Sequence, residues 1–152
     1  MELKSIVYKP KGQKNQKDHY LRVPLQVARL MTGHGIEGDA KGGHPKRQLN
    51  ILSAETITAL AAEGYQIAPG QLGEQLVISG ITVENLAKGT ILQIGESAQI
   101  EILALREGCD RFESIQHQTT HEGRLGMMAR VITDGTIAIG DPVVIMPQPI
   151  SV

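Results

Sequence analysis

The chain has 152 residues, a net charge of −1, one cysteine and few aromatics: one Phe, three Tyr and no Trp. This length fits a single domain whose core has to come from Ile, Leu, Val, Ala and Met. A lone cysteine excludes an internal disulfide framework and points to a reducing, cytoplasmic setting.

Leu3 to Tyr8 is β-rich and predicts a first strand, followed by a polar loop from Lys9 to Lys17 with Pro10 and Gly12. Tyr20 to Val23 predicts a return before Pro24. Residues 33–48 hold five glycines and one proline, which excludes a regular helix. Their spacing fits neither a P-loop nor a dinucleotide-binding turn. A long irregular loop inside a small domain is usually functional or mobile. Leu49 to Leu52 predicts a short strand, and Ser53 an N-cap. Ile57, Leu60 and Ala61 then form the apolar stripe of a helix over 53–63, which Gly64 stops.

Strands dominate the rest. Leu76 to Ile78 leads to a Ser79-Gly80 turn, and Ile81 to Val83 reads as a further strand. Thr90 to Ile94 lies between Gly89 and Gly95. Ala98 to Leu105 alternates, with Ile100, Ile102 and Ala104 on one face. Asp134-Gly135 between Met128–Thr133 and Thr136–Ile139 predicts a two-residue hairpin. Gly140-Asp141-Pro142 turns into Val143 to Met146. Such a series of short strands indicates a barrel or packed sheets.

Residues 1–50 carry ten Lys/Arg against four Asp/Glu, a balance of +6; residues 51–152 carry five against twelve, a balance of −7. A basic first third attracts anions, although the same charges are equally consistent with a solvated loop. The opening Met1-Glu2-Leu3-Lys4 shows no secretory pattern. No apolar run is long enough for a membrane span. The shortage of rings and the lack of a basic helix argue against a nucleic-acid partner.

Cys109 sits in Arg106-Glu107-Gly108-Cys109-Asp110-Arg111-Phe112. A cysteine reacts as its thiolate, which nearby cations or a helix N-terminus favour. Arg106 and Arg111 supply the cations, Asp110 to Gln116 fits a short helix, and Glu107 and Asp110 oppose the effect. A small buried hydrophobe is the other reading of a lone cysteine. His117, His121, His34 and His44 are possible partners, and no spacing selects among them. In the loop, Asp39, Lys41, His44, Lys46 and Arg47 stand among glycines whose N–H groups can cradle an anion.

The ordered set Gly35-Ile36-Glu37-Gly38-Asp39, Arg47-Gln48-Leu49, Pro69-Gly70-Gln71-Leu72-Gly73-Glu74-Gln75-Leu76, Leu86-Ala87-Lys88-Gly89, Cys109, Gly126 to Val131 and Gly135 to Asp141 resembles the MOSC domain. That module is named after the C-terminal part of molybdenum-cofactor sulfurases. The resemblance is strongest over 33–144 of a single domain spanning 1–152. It departs at Lys41, where the family usually has His, at Gly108, usually Pro, and at Gln75, usually Asn.

The resemblance implies a mainly β, antiparallel barrel-like fold with a few peripheral helices. It implies association with the molybdenum cofactor, a phosphorylated pterin, and Cys109 as metal ligand or sulfur carrier. Molybdenum-ion and pyridoxal-phosphate binding belong to the same set of implied properties. Gly38, Asp39, Lys41, Arg47, Gln48, Glu74, Arg111 and Arg130 are the implied cofactor-binding residues. Cys109 is expected to share a cleft with the 38–48 loop, into which Arg47 or Lys41 points, with Glu74 orienting the loop or accepting from Arg47. Reduction of N-hydroxylated compounds is the implied activity. The chain lacks an iron–sulfur cysteine set and any flavin or nicotinamide fingerprint, so a separate electron donor, or a sulfur donor for the carrier role, is the implied partner. The alternative is a degenerate MOSC domain acting as a non-catalytic binding or protein-interaction module.

Overall fold

The computed structural model describes residues 1–12, 22–40, 42–107, 112, 116 and 123–147. Eleven strands and one α-helix follow one another within these residues: β1 Glu2–Tyr8, β2 Val23–Leu25, β3 Val27–Met31, β4 Gly35–Ile36, β5 Leu49–Ser53, α1 Ala54–Ala62, β6 Leu76–Ser79, β7 Ile91–Ile94, β8 Ala98–Leu105, β9 Met127–Thr133, β10 Gly135–Ala138 and β11 Val143–Ile145. Eight strands form one sheet in the order β11-β7-β8-β9-β5-β6-β1-β2, and three form a second in the order β10-β3-β4. All pairs are antiparallel except β5 and β6, which α1 connects. The fold is therefore mainly β, as the strand pattern indicates.

The large sheet curls toward closure without a continuous ladder joining its ends. Leu3 N–H donates to Asp141 O at 2.9 Å, Gly140 N–H to Leu3 O at 2.8 Å and Val143 N–H to Met1 O at 3.0 Å. These bonds tie the start of β1 to the strand at the far edge. The two sheets share one aliphatic core that includes Leu30, Ile36 and Ile137 from the small sheet and Ile51, Ile100 and Val131 from the large one. Alternation sets this packing. Ala98, Ile100 and Ile102 of β8 are fully buried, but a register shift between Ile102 and Ala104 turns the strand end outward. Ala104 is consequently exposed rather than part of the core face.

The helix begins after Ser53, yet the Ser53 hydroxyl does not cap it. Ser53 Oγ accepts from Val83 N–H at 2.8 Å instead. Residues 83–85 form a short 3-10 turn rather than the end of a strand. At the other end, Gly64 N–H donates to Ala61 O and Tyr65 N–H to Leu60 O, with Gly64 at φ +92°. This is a Schellman arrangement, in which the glycine takes the left-handed position. Leu60 is fully buried, while Ile57 and Ala61 are half-buried at the flanks of its stripe.

The Asp134-Gly135 hairpin is not formed. β10 pairs with β3, while β9 stays in the large sheet between β8 and β5. A tight hairpin of this type needs left-handed backbone at both central residues, and Gly135 is not among the glycines with positive φ. Asp134 Oδ1 accepts from Thr32 N–H at 2.6 Å. A Cβ on Gly135 would lie 2.5 Å from Ala98 N. The glycine serves a close crossing from one sheet to the other.

Candidate functional site

The segment Gln66–Gln75 forms a platform that reaches toward two separate parts of the chain. On one side it holds the loop. Asp39 is 1% exposed, and its Oδ2 accepts from Gln75 Nε2 at 2.5 Å while its Oδ1 accepts from Lys9 N–H at 3.2 Å. Gln75 Oε1 accepts from Asn50 N–H at 2.9 Å, and Asn50 Nδ2 donates to Gly73 O at 3.1 Å. Asp39 thus fixes the start of the loop to the sheet through a closed chain of amides.

On its other side the platform holds the residues that bracket Cys109 in sequence. Arg106 Nη1 donates to Leu72 O. Its guanidinium lies where a Cβ on Gly73 would sit, 2.3 Å from Nη2, so a side chain at 73 would displace it. The same guanidinium covers the Phe112 ring at 5.6 Å from the centroid, a cation–π contact. Phe112 packs on Tyr65 with ring centroids 6.4 Å apart. Gln116, 4% exposed, donates to Gln66 O at 2.8 Å and Gln71 O at 3.0 Å and accepts from Gln66 N–H at 2.6 Å. Cys109 stands three residues from each of two anchored residues, Arg106 and Phe112.

Glu74 lies inside the platform, 4% exposed. Its carboxylate accepts from Gly70 N–H at 2.8 Å and Leu72 N–H at 3.1 Å. Burial raises its pKa; these N–H groups and the Arg106 charge pull the other way. It shapes its own turn, and its neighbour Gln75 is the residue that reaches the loop.

Of the remaining implied cofactor-binding residues that the structure describes, Gln48 and Arg130 meet at one cleft and Gly38 lies at another. Gln48 is 4% exposed and accepts through Oε1 from Val131 N–H at 3.0 Å. With Arg130 it lines an open cleft of about 470 Å³ together with Thr32, Gly33, Gly43 and Pro45. Arg130 Nε donates to Glu101 at 2.6 Å. Arg47 is exposed on the loop beside this cleft. Gly38 lines a second cleft, of similar size, with Tyr8, Lys11, Leu25 and Arg29. Lys41, Gly108, Cys109 and Arg111 lie outside the described residues, and so does the cleft expected between Cys109 and the loop. Among the described residues no group of three or more His, Cys, Asp or Glu could hold a metal ion. None of their helices is long and apolar enough to cross a membrane.

Sequence reasoning missed Gln75, Asn50 and Gln116 as positioning residues. Phe112 offered a signal, being the only Phe in the chain. Its ring is fully buried, as a large apolar side chain favours.

The model of the MOSC domain matches residues 38–144. The chain belongs to the MOSC family. YiiM from Escherichia coli has a similar structure, with TM-score 0.71, 24% identity, and coverage of 100% of this chain and 73% of its own. YuaD from Bacillus subtilis gives TM-score 0.70 at 20% identity over 93% of this chain and 96% of its own. YiiM from Geobacillus stearothermophilus gives 0.71 at 20% identity, covering 95% of this chain and 75% of its own. These likenesses establish the fold. A protein of Gibberella moniliformis named reductase is 29% identical over 86 residues, 53% of this chain. The match spans only 15% of that longer protein.

Proposed function

We propose that this MOSC protein binds the molybdenum cofactor with the Cys109 thiolate as metal ligand, and reduces N-hydroxylated compounds with electrons from a separate donor protein. The observation that carries this reading is the platform Gln66–Gln75. One short segment anchors both the glycine-rich loop, through Asp39, and the residues on either side of Cys109, through Arg106 and Gln116. Two regions far apart in sequence are thereby held to one support, as a shared site requires.

The donor set fits such a group. A thiolate is a soft ligand suited to the metal, and the loop bears the exposed cations Lys46 and Arg47, suited to a phosphate. The cofactor, when bound, supplies the redox chemistry. Arg106 is fixed by Leu72 O and by Phe112, so its positive charge stays near the segment that carries the thiol and favours the thiolate. Gln116 is itself bound to the platform through Gln66 and Gln71. The match to the Gibberella moniliformis reductase supports the reductase reading over a purely structural role.

The test is elemental analysis of protein purified from a host that makes the cofactor. Wild type is expected to carry molybdenum in stoichiometric amount and Cys109→Ser to lose it while remaining folded. Wild type free of molybdenum, in preparations where a known molybdoenzyme is loaded, would sink the reading.

A further inference from the structure

We propose that the cleft beside β9 binds the oxyanion end of a small molecule, held by the Nε2 donors of Gln48 and the guanidinium of Arg130. The cleft's lining includes none of Arg106, Phe112 and Gln116, the residues that the platform holds on either side of Cys109 in sequence. β9 meets the end of β8 at the Met127↔Leu105 pair, whereas the cleft lies at Arg130 to Ile132, roughly 10–17 Å farther along the strand. The proposal therefore does not rest on the cofactor reading.

The decisive group is Gln48. Its Oε1 is committed to Val131 N–H, an interaction that fixes the orientation of the amide, because an N–H needs an acceptor. Its Nε2 then faces away with two hydrogens to donate. That nitrogen has no protein partner among the described residues, and it is not sealed in the interior. Gln48 is 4% exposed and lines the cleft, so its donors open there. A nearly buried amide lacking an acceptor is an unusual arrangement, and a ligand oxygen would complete it.

The surroundings select an anion. Arg130 uses Nε for Glu101, which leaves the Nη edge of a half-exposed guanidinium for bidentate contact with a phosphate or carboxylate. The positive charge in the lining is that of Arg130. The cleft, about 470 Å³, is within the range of small-ligand sites. Val131 and Ile132 supply an apolar wall for the body of the molecule.

The experiment is a ¹H–¹⁵N NMR titration of the full chain with inorganic phosphate, and in parallel with acetate, following the Gln48 side-chain amide and the Arg130 Nε–H. Saturable shifts at both groups are expected, tighter for phosphate. Tighter binding of acetate would keep the site and assign a carboxylate ligand. Gln48→Met, similar in length but without donors, and Arg130→Gln are each expected to weaken binding about tenfold or more. Cys109→Ser is expected to bind as wild type. No saturable shift at Gln48 with either ion overturns the proposal, and so does a folded Gln48→Met that binds as wild type does. Should Gln48→Met unfold, Arg130→Gln decides alone: an undiminished response of the Gln48 amide would overturn the site. Loss of binding in Cys109→Ser would overturn its separateness.

Discussion

The described residues form two hydrophobic clusters built on different principles. The larger, between the sheets, is closed by aliphatic side chains that alternate along strands, such as Leu92, Ile94, Ile100 and Ile102. The smaller gathers Leu52, Leu60, Tyr65, Leu72, Phe112 and Leu125. It holds the ring pair, lies beneath Arg106, and is rimmed by the buried polar groups of Glu74 and Gln116. The first can be held by any well-packed set of aliphatics. The second is specified by directional contacts, and those contacts hold Arg106, Phe112 and Gln116, which flank the only thiol in sequence. The larger cluster carries stability, and the smaller one carries position.

Mutations separate the two roles. Ile100→Ala in the larger cluster is expected to cost about 3 kcal/mol by urea unfolding, while the native alkylation rate of Cys109 stays at the wild-type value. Phe112→Leu in the smaller cluster is expected to cost roughly 1–2 kcal/mol and yet to change that alkylation rate several-fold. If Ile100→Ala perturbed the thiol and Phe112→Leu did not, the division would be wrong.

Glu74→Gln sharpens the comparison through pH. Burial raises the Glu74 carboxyl above its ordinary value, so the folded state binds its proton more tightly than the unfolded chain. The stability contributed by this group is present below the unfolded pKa and declines as pH rises through the raised folded value. The glutamine variant is expected to lose that decline. At neutral pH it places an NH₂ against the N–H of Gly70 or Leu72, at a cost of about 1–2 kcal/mol. Urea midpoints across roughly pH 4–7 check both effects, and a decline that persisted unchanged in the variant would assign it to another group.

The smallest effect is expected at the rim. Arg124 lies over Tyr65 and pairs with Glu63, in an ion pair open to solvent. Arg124→Gln is expected to leave the melting temperature almost unchanged. A large drop would mean that the smaller cluster depends on its rim as well as on Phe112.

The same contrast explains what the sequence made legible. Strand alternation exposed the larger cluster, because a buried face follows a period of two. That signal failed at Ala104, where a bulge reverses the face, and at Asp134-Gly135, where Thr32 and Ala98 draw the turn into a crossing. The parallel β5–β6 pair was hidden because pairing between residues 25 apart, as Ile51↔Leu76, leaves no local mark. Of the candidate site, the ordered glycine-bearing motifs revealed the family. They did not reveal that Asp39 and Glu74 are engaged inside the fold, or that Gln48 and Arg130 meet in a cleft of their own. Such roles depend on partners such as Gln75, Gly70 and Val131, whose contacts no spacing encodes.

The function proposed for this protein needs Cys109, between the anchored Arg106 and Phe112 in sequence, to be a reactive thiol. The most direct measurement is the native alkylation rate of Cys109 against pH, together with the thermal melt of Cys109→Ser. Fast alkylation that reaches half its maximum below about pH 8.5, the ordinary thiol value, is expected, with an unchanged melt for the mutant. Slow alkylation at every pH, with a lowered melt in Cys109→Ser, would make the cysteine a core residue and contradict the claim.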